Sequence, residues 1–330
     1  MLLKGAINSR KQLINISDSD YIAEDKFIPI ARQRKFRALV PIMYGCNNFC
    51  TFCIVPYTRG RERSRDFDEV VNELKELAAQ GYKEVMLLGQ NVNSYAGNGK
   101  TFPDLLRAAS EIEGFSRIRF MSSHPKDISD EVIDIMASCD NIENHLHLPV
   151  QSGSDRLLKL MNRPYTREKY LRIVDRFRTL VPDGSLSTDI IVGFPGETMS
   201  IVRECRYDSA FTFQYSVRPG TRAASMPDQV PKKVVTARFQ RLLELQNDLA
   251  FKSNQNKIGK TEEVLIEGES STAPDILTGR TRSNHLINFT IPEDKRIEGL
   301  QSSDYEGRLA MVKFTHARPY SVDGVLESFK

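Results

Sequence analysis

Tryptophan is absent from this chain, and histidine occurs only five times in 330 residues. No apolar run approaches the ~20 residues that a membrane span needs, so no membrane partner is expected. The N-terminus lacks the apolar core of a secretory signal. Charge of one sign is also missing: the formal net charge is +3, too small to name nucleic acid as a partner by itself. Cysteine is sparse and odd in number, five in all, so a complete disulfide framework is excluded. The count suits a reducing compartment and a metal site better, and the location is read as cytoplasmic, with a mitochondrial one left open. Residues 1–17 carry Lys4, Arg10 and Lys11 and no acid, faintly like a transit peptide, although a domain linker is the blander reading.

What is present is a short cysteine loop, Tyr44-Gly45-Cys46-Asn47-Asn48-Phe49-Cys50-Thr51-Phe52-Cys53. Iron–sulfur clusters are held by cysteine thiolates, usually four per cluster. A loop with only three leaves one iron of a [4Fe–4S] cluster open to a substrate or cofactor. Structural zinc normally closes its shell with four protein ligands. The loop therefore reads as a reactive cluster site, against a partial zinc site or three unrelated thiols. Cys139 and Cys205 lie far apart and read as packed thiols.

From about residue 38 to 250, strand and helix patterns alternate. Strands are expected near 38–44, 83–89, 117–122, 143–148, 186–192 and 210–215. Helices are expected near 66–81, 103–112, 130–138, 155–161, 167–180 and 232–251. Asp66 can cap the first of these helices, with Glu69 three residues later. Such units imply α/β architecture, a parallel sheet closing into a partial or complete (β/α) barrel. Functional residues then belong at the C-terminal strand ends, where Gly89-Gln90-Asn91, Ser122-Ser123-His124-Pro125, Gln151-Ser152-Gly153 and Gly193-Phe194-Pro195-Gly196-Glu197 fall. After residue 257, short β-like runs at 263–266, 276–278, 286–291 and 308–314 suggest a small all-β barrel. The expected organisation is a linker over 1–35, a core over 36–256 and a β-barrel over 257–330.

The spacing Cys-x3-Cys-x2-Cys, with Phe52 before the last cysteine, resembles the signature of the radical S-adenosylmethionine (SAM) superfamily. The loop extended through Pro56-Tyr57-Thr58-Arg59-Gly60-Arg61-Glu62-Arg63-Ser64-Arg65 narrows the likeness, as do Gly89-Gln90-Asn91-Val92-Asn93-Ser94-Tyr95 and His147-Leu148-Pro149-Val150-Gln151-Ser152-Gly153-Ser154. Together they resemble the MiaB-type tRNA methylthiotransferases. That resemblance implies a radical-SAM barrel followed by a TRAM-type RNA-binding barrel. It implies methylthio transfer to carbon 2 of N6-isopentenyladenosine next to the anticodon. The implied cofactors are a [4Fe–4S] cluster with one open iron and SAM. The implied partners are tRNA, an electron donor such as flavodoxin or ferredoxin, and a sulfur donor.

Residue by residue, the resemblance implies that Cys46, Cys50 and Cys53 ligate the cluster and that Phe52 lies against the adenine of SAM. It places Gly89, Gln90 and Asn91 at the SAM amino group. Gln151 and Ser152 go to its ribose or carboxylate, and Gly193 and Glu197 lie near the adenine. No catalytic residue is assigned beyond the cluster ligands. Two departures stand out. The family has an N-terminal domain with three further cysteines that hold a second cluster, and this chain is expected to begin in the linker after it. After Glu197-Thr198 the chain is also shorter than relatives by ~7 residues, about two helical turns. These departures motivate two alternatives: SAM cleavage without sulfur insertion, and a non-catalytic tRNA-binding remnant.

Arg59, Arg61, Arg63 and Arg65 are candidates for RNA phosphates, against the bland reading of a solvated loop. His145 and His147 share one strand face. No carboxylate is evident beside them in sequence, so His147 is expected to pack or hydrogen-bond near the site and not to bind zinc. Asp189 reads as structural, and Phe213 as barrel core.

Overall fold

A period of two, with apolar residues at alternate positions, builds the first part of the computed structural model, which is described for residues 32, 34–196, 202–270, 273 and 275–330. β1 (Arg37–Pro41) and β2 (Met43–Tyr44) precede α1 (Val55–Arg59), and β3 (Arg63–Ser64) pairs back on β2. α2 (Phe67–Ala79) leads to β4 (Glu84–Leu88). A hairpin of β5 (Ala96–Gly97) and β6 (Lys100–Thr101) precedes α3 (Phe102–Ser110). Then come β7 (Arg117–Phe120), α4 (Asp130–Ser138), β8 (His145–His147), α5 (Asp155–Leu160), α6 (Arg167–Leu180) and β9 (Ser185–Val192). α7 (Val202–Cys205), β10 (Ser209–Gln214) and α8 (Lys232–Gln255) follow. Helix starts are capped locally. Asp66 accepts the amides of Asp68 and Glu69, Thr101 and Asp104 form a capping box, and Thr166 accepts the Lys169 amide.

The strands form two parallel sheets, β1-β4-β7 and β8-β9-β10. One parallel bridge joins them: the Ile118 amide donates to Asn141 O at 2.7 Å, and the Glu143 amide donates to Ile118 O at 3.1 Å. Among the described residues β1 and β10 do not pair, so the barrel is partial. Side chains alternate across the sheet. Ala38, Val40, Val85, Leu87, Ile118, Phe120, Leu146 and Leu186 pack into the main core with the outer helices. Their immediate neighbours along each strand, such as Leu39, Met86 and Arg119, turn to the opposite, inner face.

β11 (Thr261–Glu269), β12 (Leu277–Thr281), β13 (Leu286–Thr290), β14 (Leu309–Ala317) and β15 (Val322–Phe329) close into a five-stranded barrel in the order β11-β12-β13-β15-β14. Val264, Ile266, Ile287, Phe289, Val312 and Phe314 fill it. This barrel meets the N-terminal edge of the parallel strands: Arg117 Nη1 donates to Arg280 O at 2.6 Å, and Arg119 Nη1 donates to Asn284 Oδ1 at 2.9 Å.

Several expectations shift. The strand expected at 38–44 breaks after Pro41. β15 was not expected at all. Its Gly324 sits where a Cβ would lie 2.6 Å from Val312 Cγ1, and a glycine inside a short apolar run hides a strand signal. The expected linker lies outside the described residues apart from 32, 34 and 35. α7 is described over Val202–Cys205, and the segment over 197–201, where the chain is expected to be short, lies outside the described residues.

Candidate functional site

The cysteine loop springs from β2 and is clamped on three sides. Gly45 has φ +71°, and a Cβ there would stand 2.0 Å from the Arg61 carbonyl oxygen, so two backbones pass in contact. The Cys46 amide donates to Gly60 O at 3.3 Å. Thr51 donates its amide to Met161 O and its hydroxyl to Leu160 O, both at 3.0 Å, and accepts the Ala223 amide at 2.8 Å. Asn162 Nδ2 donates to Asn48 O and Phe49 O at 3.0 and 3.1 Å. Cys46, Cys50 and Cys53 are each half-buried.

Burial pushes the Cys46 and Cys53 thiols up from their ordinary range, and mutual repulsion among the three adds to it. At Cys53, Arg218 and Arg163 act in the opposite direction. The Arg163 guanidinium is buried and reaches Cys50 Sγ at 3.7 Å. Three thiols sharing one electrostatic environment with arginine beside them suit an anionic, thiolate-held group. Among the described residues, no three His, Cys, Asp or Glu side chains gather around a point where a single ion would sit.

The strand ends ring this loop. After β4, Gly89 lies where a Cβ would meet Met43 Cγ at 2.4 Å, and Gln90 is half-buried beside it. Asn91 is buried; its Nδ2 donates to Asp127 Oδ2 at 2.7 Å, while its Oδ1 has no partner. After β7, Ser122 has φ +68°, and Ser123 Oγ and His124 Nε2 are buried without partners. Burial, then Arg163, Lys126 and Lys169, push the His124 imidazole down to about 2, so it is neutral. After β8, Gln151 has φ +59° and bridges β9 through its backbone, yet its Oε1 is buried and unpaired; Ser152 is buried next to it.

Four orphaned polar atoms at three successive strand ends are costly unless a ligand satisfies them. After β9, Gly193 has φ +85°, and Phe194 packs edge-on to Phe52 with ring centroids 6.5 Å apart. Indirect links connect these strand ends to the loop: Arg163 joins Cys50 to Pro149 O just before Gln151, Phe194 next to Gly193 packs on Phe52, and Asn91 bonds Asp127, beside Lys126, which donates to Asn48 of the loop. Glu197 lies outside the described residues.

Sequence reading missed Arg163, Asn162 and Tyr165. Arg163 donates from Nη2 to Pro149 O and from Nε to Tyr165 Oη, both at 2.8 Å. An arginine in a short turn between helices reads as solvated. The adjoining Pro164 was the one signal that the turn is rigid. Of the four expected RNA-binding arginines, Arg59 and Arg61 are exposed, the latter stacked over Phe49 at 4.8 Å. Arg63 is half-buried in β3. Arg65 is half-buried and spans Pro41 O and Glu73 Oε2, both at 2.8 Å, which is a structural use. The histidines do have a carboxylate: Asp189, one strand over, stands with Oδ1 3.6 Å from His147 Nε2. Phe213, expected in the core, is about half exposed on the inner face of β10.

Comparison with known proteins agrees with this geometry. Residues 40–206 match the profile of the Radical SAM superfamily. A tRNA-2-methylthio-N(6)-dimethylallyladenosine synthase of Clostridium botulinum (strain Loch Maree) is 50% identical, over 91% of this chain and 68% of its own length. The protein of the same name from Acetivibrio thermocellus is 47% identical, over 98% of this chain and 67% of its own. The chain spans about two thirds of the length of the curated relatives it matches. Among solved structures, the radical SAM methyltransferase TsrM of Kitasatospora setae aligns with 58% of this chain and 38% of its own, at 22% identity and a TM-score of 0.47. A three-thiol loop at the mouth of a partial barrel and half-identity across nine tenths of the sequence lead to one assignment: the chain belongs to the radical SAM superfamily, in the family of the tRNA-2-methylthio-N(6)-dimethylallyladenosine synthases.

Proposed function

We propose that this chain modifies tRNA, placing a methylthio group on carbon 2 of N6-isopentenyladenosine beside the anticodon. The observation that carries the reading is the trio of half-buried thiols backed by Arg163 and ringed by unpaired buried polar atoms. Bound there, a [4Fe–4S] cluster and SAM supply one-electron reductive cleavage of SAM and the hydrogen abstraction that follows. Cys46, Cys50 and Cys53 hold the cluster. Arg163 offsets charge at Cys50. Asn91, Ser123, Gln151 and Ser152 meet the polar groups of SAM, and Gly89 keeps the backbone close behind them. Phe52, with Phe194 behind it, covers the purine and keeps water out. Arg59 and Arg61 meet RNA phosphates, and the β-barrel over 257–330 holds the RNA at a second place. The reading calls for a flavodoxin or ferredoxin as electron source, a sulfur donor, and a cytoplasmic location. No described helix is long and apolar enough to cross a membrane.

Anaerobic reconstitution tests the reading. We expect about four irons per chain, as one thiolate-held cluster requires, with 5′-deoxyadenosine released from SAM under reduction. Cys50→Ala should lose both. Iron content and deoxyadenosine unchanged in Cys50→Ala would remove the site. Nucleoside mass spectrometry of tRNA from cells with and without the gene tests the product. Deoxyadenosine without the methylthio nucleoside would favour SAM cleavage lacking sulfur insertion. Salt-sensitive tRNA binding with no deoxyadenosine would favour the non-catalytic reading.

A further inference from the structure

The inner face of the partial barrel carries a polar relay that the cofactor site does not use. On β8 and β9 the odd-numbered side chains turn inward. His145 Nε2 lies 2.8 Å from Ser187 Oγ, and the same oxygen lies 2.9 Å from His147 Nδ1. His147 Nε2 faces Asp189 Oδ1 at 3.6 Å. Ser187 has one proton to give. If it donates to His147 Nδ1, then His145 Nε2–H donates to Ser187 and His147 presents N–H to Asp189. Both bonds at Ser187 then point the same way, and the His147 N–H is left facing the carboxylate across 3.6 Å, close enough to attract it but beyond a hydrogen bond. His147 is buried, and the Asp189 side chain is 26% exposed toward the lumen.

Beside Asp189, paired with it in register, stands Phe211, 54% exposed and edge-on to His147 with ring centroids 5.8 Å apart. Phe213 continues that wall at 51% exposure. An ionised carboxylate accepts hydrogen bonds and donates none. An adenine alkylated on its exocyclic nitrogen offers acceptors at its ring nitrogens and a single base N–H, the one left on N6. The aromatic wall next to the carboxylate suits the base face and its apolar substituent.

Building on the function proposed above, we propose that Asp189, beside His147 on the inner face, is the specificity-determining residue that accepts the N6–H of the target purine, with Phe211 against its alkyl group. The test is RNA binding by the full chain, measured by fluorescence anisotropy at fixed salt without SAM. The probes are anticodon stem-loops bearing adenosine, N6-isopentenyladenosine, N6-methyl-N6-isopentenyladenosine or the 2′-deoxy form of the isopentenyl nucleoside.

A hydrogen bond to a charged acceptor predicts roughly tenfold or more weaker binding of the doubly alkylated RNA than of the isopentenyl RNA. Asp189→Ala, which leaves no acceptor, should erase that ratio, while Asp189→Asn, whose Oδ1 still accepts, should only reduce it; Phe211→Ala should instead shrink the preference for isopentenyl over unmodified RNA. Equal binding of the singly and doubly alkylated RNAs by the native chain overturns the assignment, whatever the variants do. So does a ratio unchanged in Asp189→Ala, or a loss on removing the 2′-hydroxyl that matches the loss on N6 methylation. If the native chain binds the isopentenyl and unmodified stem-loops alike, the substrate in the proposed function fails, which is a separate result.

Discussion

Gly45 is the position where a single methyl group has the largest expected effect on the candidate cluster site. Its φ of +71° already disfavours any side chain, by about 1–2 kcal/mol for a left-handed residue. The Cβ of Gly45→Ala would also lie 2.0 Å from the Arg61 carbonyl oxygen. Carbon and oxygen in contact stand about 3.3 Å apart, so one backbone must retreat by roughly 1.3 Å, and overpacking of that kind costs about 1–3 kcal/mol. The retreat falls next to Cys46, whose amide N–H donates to Gly60 O across 3.3 Å with no slack to lose. Gly81 supplies the control: its φ is +88°, and an added Cβ would meet nothing within 4 Å. Gly81→Ala should cost only the left-handed term and leave iron binding intact. Gly45→Ala should cost about 2–5 kcal/mol in all and lower cluster retention at least tenfold, about 1.4 kcal/mol at the site. Iron content and visible absorbance after anaerobic reconstitution, with thermal melts on the same samples, measure both. Equal iron in the two variants would refute the steric reasoning.

Two further outcomes follow from the geometry. His124 stays neutral in the fold down to a pH of about 2, while the unfolded chain takes up its proton near 6.5. The unfolded state therefore binds more protons between those values, and the contribution of His124 is full above pH 6.5 and lost as pH falls. Between pH 6.5 and 4.5 the loss is about 2–3 kcal/mol, and His124→Gln should remove that slope in urea unfolding curves; parallel pH dependence in variant and native chain would count against it. Replacing Arg59 and Arg61 with alanine should weaken tRNA binding and reduce the salt slope by about 1–2, near 0.9 per phosphate contact. Arg65→Ala should leave that slope alone and lower the melting temperature, because Arg65 holds Glu73 and Pro41.

The fold was legible because the helix-facing half of each strand is apolar and the loops after the strands are rich in glycine and proline. Asp130–Ser138 and Arg167–Leu180 fall on their expected ends, since α4 and α6 carry strong apolar faces. The cysteines, Asn91 and Gln151 could be singled out as candidates because they sit at strand ends, where local sequence already marks a turn. The inner face was not. β7 reads Arg117-Ile118-Arg119-Phe120, a pattern that predicts one wet face, yet all four residues are buried. Their partners are Glu84, Glu143, Glu263 and Asn284, the last two more than 140 positions downstream, and no local period can announce them. Asp189 read as structural for the same reason: His147 is its neighbour only after β8 and β9 pair.

That hidden face explains how the β-barrel is held. Arg37 pairs with Glu84 and Glu267, and Arg119 lies 3.0 Å from both Glu84 Oε2 and Glu143 Oε2. Arg117, with no exposed side-chain surface, lies 3.3 Å from Glu143 Oε1 and 3.5 Å from Glu263 Oε1. Burial pushes the Glu143 carboxyl up to about 7 despite both arginines, so desolvation outweighs attraction there. A network of this kind adds little net stability, because each charge gives up its water. Its geometry is another matter. Removing one partner would leave a buried charge unmatched, at about 3–5 kcal/mol, so sliding the barrel out of register is opposed far more strongly than its contact area alone would oppose it. Arg282 Nη2 donating to Ile142 O at 3.1 Å ties the barrel to the bridge segment joining the two parallel sheets. On the function proposed above, an RNA held by the β-barrel would meet the cysteine loop at a separation fixed by this network, and the choice of nucleotide would fall to the inner wall where Asp189 and Phe211 stand.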